Sequence, residues 1–115
     1  MDPFANIMTP SAAIHLADFK RAVVSAVPGV ENLILFGSRA RGQMRDGNDY
    51  DVAVIVRGMA DRRHVRRILS DLAYDHILAG VFIRPIPLSP DYLAPTDGRA
   101  TELADEIARD GVEIQ

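Results

Sequence analysis

The sequence predicts a small α/β (α+β) domain, a short mixed sheet with helices packed on one side. Three observations carry this. Two short runs rich in β-branched and aromatic residues, Val30 to Phe36 and Tyr50 to Val56, follow each other without an intervening helix. Longer stretches with apolar residues at helical spacing flank them. At 115 residues and 48% apolar composition, the chain has enough material for one core and one domain, residues 1–115.

The elements follow in order. Thr9-Pro10 has the form of an N-cap followed by a proline at the first helical position. The helix beyond it carries Ile14, Leu16, Phe19, Val23 and Val27 as its larger buried groups, and Pro28-Gly29 ends it. Val30 to Phe36 is then a strand. Its continuous run Leu33-Ile34-Leu35-Phe36 suits burial on both faces. Tyr50 to Val56 is a second strand. Asp61 caps a long helix reaching about Ala79, with Val65, Ile68, Leu69, Leu72, Ala73 and Ile77 along one face and Gly80 just past its end. Val81 to Leu88 is a third strand, either at an edge or irregular, because Pro85 and Pro87 cannot donate ladder hydrogen bonds. Ser89-Pro90 opens a loop through Pro95. Thr101 to Asp110 is a last helix closed by Gly111, and Val112 to Ile114 a short final strand.

The bulk properties exclude several classes. There are no cysteines, so disulfides and thiolate metal sites are absent. No apolar run approaches the roughly 18 residues of a membrane span, and Met1 to Thr9 lacks the pattern of a secretory signal. A cytoplasmic protein without membrane association is the expectation. The net charge of −3 is uneven: residues 39–67 hold eight Arg against four Asp, a net of +4, which leaves −7 elsewhere. A basic segment in an acidic chain suits an anionic ligand nearby. Arg62, Arg63, Arg66 and Arg67 are read more simply as a solvated helix face. That segment also lacks interleaved aromatics, which argues against nucleic acid as a partner.

The chemistry lies in one constellation: an apolar strand ending in Gly37-Ser38, ten residues, then Asp49-Tyr50-Asp51 leading into a second apolar strand. Side chains at i and i+2 on a strand share a face, so Asp49 and Asp51 lie close enough to share a divalent cation. Hard carboxylate oxygens suit Mg2+, which is usually held by one or two carboxylates plus substrate phosphates and water. Gly37 permits a sharp turn and close approach of a ligand. Backbone N–H groups at Ser38, with its hydroxyl, can take phosphate oxygens. Alone, Gly-Ser is a turn and Asp-x-Asp a solvated strand face. All four positions at fixed spacing would match by chance on the order of once in a thousand chains of this length.

This pattern resembles the signature of the polymerase-β-like nucleotidyltransferases, and Arg39-Ala40-Arg41-Gly42 resembles the Arg-x-Arg-Gly common between its halves. The short length is similar to that of the minimal nucleotidyltransferases, many of which are antitoxins paired with HEPN-type toxins. The resemblance spans most of the chain, with residues 33–56 the specific part. It implies the nucleotidyltransferase fold, Mg2+ on Asp49 and Asp51 as metal ligands and catalytic residues, and a nucleoside triphosphate, ATP, on Gly37, Ser38, Arg39 and Arg41. It implies transfer of AMP to a hydroxyl of a macromolecular acceptor such as a partner toxin. The other reading of the same resemblance is a catalytically weak or inactive module that acts by binding its partner. The oligomeric state is left open, a homo-oligomer included. One departure stands out. The family carries a third carboxylate on the next strand, as metal ligand and base, whereas Val81 to Leu88 has no Asp or Glu and Arg84 is its one charged residue. Asp75 and Asp91 are the nearest substitutes.

Overall fold

In the computed structural model, residues 10–37, 40, 49–95 and 98–115 are described. A sheet of four strands runs in the order β3-β2-β1-β4, with β1 Val30–Phe36, β2 Tyr50–Val56, β3 Ile83–Leu88 and β4 Val112–Glu113. β1 pairs antiparallel with both β2 and β4, and β2 pairs parallel with β3. The sheet is therefore mixed, and the fold class is the expected α+β. The parallel β2–β3 pair needs a crossover, which α2 Arg62–Leu78 supplies.

α1 Pro10–Ala26 and α2 pack on one face of the sheet. Leu16, Phe19 and Val23 of α1 meet Val65, Leu69 and Ala73 of α2 over Leu33, Leu35, Val52, Val54 and Val56. The α1 stripe follows the 3.6-residue period from Leu16. Ile14, expected inside, is two residues from Leu16, on the far side of the helix, and is 63% exposed. Ile77, also expected on the buried face, is 36% exposed near the end of α2. Asp61 caps α2 as expected, its side chain accepting from the His64 backbone N–H at 3.2 Å. The α2 arginines at 62, 63, 66 and 67 are exposed, and Arg62 also donates to the Pro87 carbonyl at 3.1 Å.

The expectation of helices on one side holds for α1 and α2 and needs correcting for the rest. Phe36, Ala53, Ile55 and Leu88 point to the opposite face. There α4 Glu102–Asp110 covers them with Ile107 and Leu103, joined by Tyr92 and Leu93 from α3 Pro90–Leu93. The physical reason is the unbroken apolar run of β1 and β2: with both faces of each strand apolar, one layer of helices would leave half of them wet. Residues 90–93, expected as loop, form that short helix because Ser89 is at the N-cap position, Pro90 opens the first turn and Asp91 favours it. The Thr101 hydroxyl accepts from the Ala104 N–H at 3.1 Å to cap α4 and donates to the Tyr92 hydroxyl at 2.8 Å, tying α3 to α4.

β3 lies at the sheet edge, one of the two outcomes its prolines allow, and begins at Ile83, later than the expected Val81. Among the described residues no helix is long and apolar enough to cross a membrane.

Candidate functional site

β1 and β2 are antiparallel, so the end of one lies beside the start of the other. Phe36 is directly opposite Asp51. This brings Gly37 to Asp51 across thirteen residues of intervening sequence. Gly37 is buried and has φ +79°, a left-handed conformation that L side chains avoid. A Cβ at this position would lie 2.6 Å from Oδ2 of Asp51. The turn and the carboxylate are thus built against each other, and only glycine leaves room for both. Ser38, Arg39 and Arg41, expected to complete a phosphate cradle, lie outside the described residues.

Asp49 immediately precedes β2 and Asp51 is its second residue. Asp51 has a side chain only 13% exposed, whereas that of Asp49 is 43% exposed. On the other side of β2, Arg84 stands in register with Asp51 across the parallel pair. Its Nε donates to Asp51 Oδ1 at 2.6 Å, and a terminal guanidinium nitrogen is 3.5 Å from Asp49 Oδ2. The two aspartates therefore converge on one cationic group, as the i, i+2 spacing implied. Burial pushes the Asp51 carboxyl above the usual carboxylate range, against the pull of Arg84. Asp49 and Glu106 of α4 raise it further.

Sequence reasoning missed two of these groups. Arg84 was legible as a charge on β3, but its register against Asp51 was not. Glu106 comes to the site because α4 crosses the far face of the sheet. The substitutes weighed for the third carboxylate lie elsewhere: Asp75 is beside His76 on α2, and Asp91 is in the first turn of α3.

Whether this set fits a divalent cation can be judged from the donors. Two carboxylates already share one positive group, and the nearer is short of solvent. Among the described residues no three or more of His, Cys, Asp and Glu gather into a metal-binding group. Such a pair fits one hard cation whose remaining ligands come from phosphate oxygens and water. It does not by itself make a complete protein cage.

His15 of α1 and His76 of α2 also meet, Nδ1 to Nδ1 at 2.8 Å. They lie in the α1–α2 layer against Phe19, the face opposite Asp51. His76 is half-buried.

Comparison with known proteins agrees with this architecture. Residues 21–94 match the family described as "Polymerase beta, Nucleotidyltransferase". The chain belongs to that family. A toxin–antitoxin structure with AMP-PNP shares 18% identity and superposes with a TM-score of 0.61, over 90% of this chain and 72% of the other. A mutant of the toxin–antitoxin MntA-HpeT shares 16% identity with a TM-score of 0.60 and the same coverage. A candidate nucleotidyltransferase from Sulfolobus solfataricus shares 20% identity with a TM-score of 0.56, over 90% of this chain and 78% of that one. A sequence search of curated proteins finds no match.

Proposed function

We propose that this chain is a minimal nucleotidyltransferase of the antitoxin type, which binds ATP with Mg2+ and transfers AMP to a hydroxyl of a HEPN-type toxin partner. The observation that carries it is the carboxylate pair Asp49 and Asp51 at a strand end, built against the left-handed Gly37 turn. A phosphate-binding turn beside a cation-binding pair is the arrangement a nucleoside triphosphate needs. The toxin–antitoxin structure with AMP-PNP is a relative in fold and supports a nucleotide and a toxin as partners, while the HEPN type rests on the sequence resemblance.

Asp49 and Asp51 would hold the cation, which when bound neutralises phosphate charge and orients the chain of phosphates. The turn after Gly37, with Ser38, Arg39 and Arg41, would take the phosphate oxygens. In the transfer, the acceptor oxygen bonds to the α-phosphorus while its proton passes to solvent water. The bond from the α-phosphorus to the bridging oxygen breaks, and pyrophosphate departs with the electron pair. The residues at hand bind and position. β3 lacks the one carboxylate that the family pattern places there as base, and positioned base help is typically worth about 10²–10⁴-fold in rate. A slow transferase that works on a docked partner is the consequence.

Arg84, the charged residue on the strand where the family pattern has its third carboxylate, favours a second reading: a nucleotide-binding module that acts only by binding its partner. The two are separated by one experiment. The purified chain, incubated with its partner, ATP and Mg2+, should yield AMP adducts on the partner by mass spectrometry. Asp49→Asn and Asp51→Asn should abolish both the adducts and calorimetric ATP binding while the fold survives. Binding without adducts selects the module. Unchanged nucleotide affinity in both variants overturns the site itself.

A further inference from the structure

The carboxylate pair is already neutralised in part by the protein's own side chain. Arg84 faces Asp51 in strict β2–β3 register and reaches Asp49 as well. With a carboxylate at that position the three groups would sum to −3. With Arg84 they sum to −1. A site of −1 has little to attract two divalent cations, and a guanidinium at hydrogen-bond distance from Asp51 repels any second one. Arg cannot serve as a base or a metal ligand. Its planar fork does suit phosphate oxygens, which it can engage bidentately.

The two partners of the ion pair differ in freedom. Asp51 is 13% exposed and pressed against Gly37, whereas the Arg84 side chain is 62% exposed. A pair this open on one side is weak and screened. When a stronger cation arrives, the arginine is the member that moves.

We propose that Arg84 takes the place of a second metal ion: it holds Asp49 and Asp51 in the free chain, yields them to a single divalent cation that enters with the triphosphate, and then binds the phosphates itself. The proposal rests on the nucleotide-site reading above. It makes the site a one-metal site by construction, with a protein-borne positive charge in place of the other.

Mn2+ alone is the direct probe, followed by electron paramagnetic resonance on the full chain. Arg84→Gln should bind Mn2+ without nucleotide at least tenfold more tightly than the unmodified protein, because the competitor is gone. In the presence of Mn2+ and a non-hydrolysable ATP analogue, the unmodified chain should hold one Mn2+. Arg84→Gln should bind that analogue at least tenfold more weakly at saturating Mn2+. Arg84→Lys, which keeps the charge and loses the fork, should match the unmodified chain in Mn2+ affinity more closely than Arg84→Gln does. Equal Mn2+ affinity in the Gln variant and the unmodified chain overturns the proposal, as does a second Mn2+ bound by the unmodified chain with the analogue. Asp51→Asn separates the failures. If it loses Mn2+ while Arg84→Gln changes nothing, only the role of Arg84 falls. If it too leaves Mn2+ binding unchanged, the nucleotide-site reading falls with it.

Discussion

Asp51 is placed at some cost to the fold. Its carboxyl sits above the usual range because burial outweighs the attraction of Arg84. A carboxyl that holds its proton more tightly folded than unfolded stabilises the fold only when protonated. That contribution is present below the unfolded value of 3.8 and is lost as the pH rises through the folded one. At neutral pH the charged group therefore works against folding. Asp51→Asn should melt at a higher temperature than the unmodified chain at pH 7, and the gap should close as the pH falls below about 4. Thermal melts across that range test it, and a lower melting temperature for the variant at pH 7 would show that the pair with Arg84 dominates. A residue that weakens the fold where it is charged is better explained by a ligand than by packing. The same holds for Gly37, whose geometry excludes any side chain.

At the scale of elements, β1, β2, α2 and α4 lie close to where the sequence puts them. Their signals are local: an apolar run ended by Gly37, the Asp61 and Thr101 caps, and Gly111 after α4. The sequence reads residues 90–93 as loop, since four residues carry too little periodicity to outweigh Pro90 and Pro95. The contact between α1 and α2 was beyond reach, because His15 and His76 are joined only by the packing of two helices. That contact has a measurable consequence. Burial, then His15, push the His76 imidazole below its ordinary value, while Asp18 and Asp75 pull it up less strongly. The folded chain then binds fewer protons than the unfolded one, so stability falls as the pH drops below about 6.5. His76→Gln should flatten the loss of melting temperature between pH 7.5 and 5.5. Equal slopes for the two proteins would mean that His76 does not titrate with folding.

For the whole molecule, the sheet divides two apolar layers of unequal size. α1 and α2 cover the larger, while α3 and α4 cover the smaller, on the side where Asp51 points. The candidate site was legible in the sequence as far as Gly37, Asp49 and Asp51, which are linked by one short connection. Arg84 and Glu106 were not, since strand register and the path of α4 set their places. Ile107 anchors the smaller layer at 4% exposure. Ile107→Ala should cost about 2–5 kcal/mol, as large-to-small core changes do. Hydrogen exchange should rise first in α4 and β4, with α1 and α2 still protected. Uniform loss of protection would mean that the two layers fold as one.

β4 completes the sheet from the other end of the chain. The Ile114 N–H donates to the Leu33 carbonyl at 2.9 Å, the Lys20 ammonium donates to the Ile114 carbonyl at 2.7 Å, and the Ile114 side chain is 2% exposed. During synthesis, β1 emerges early and finds β2 soon after, but its other edge has no strand to pair with until residues 112–114 leave the ribosome. For that interval the nascent chain carries an open, apolar strand edge, the kind of surface on which neighbouring polypeptides aggregate. Synthesis of residues 112–114 is thus what ends its exposure, and a chain lacking them would keep that β1 edge uncovered.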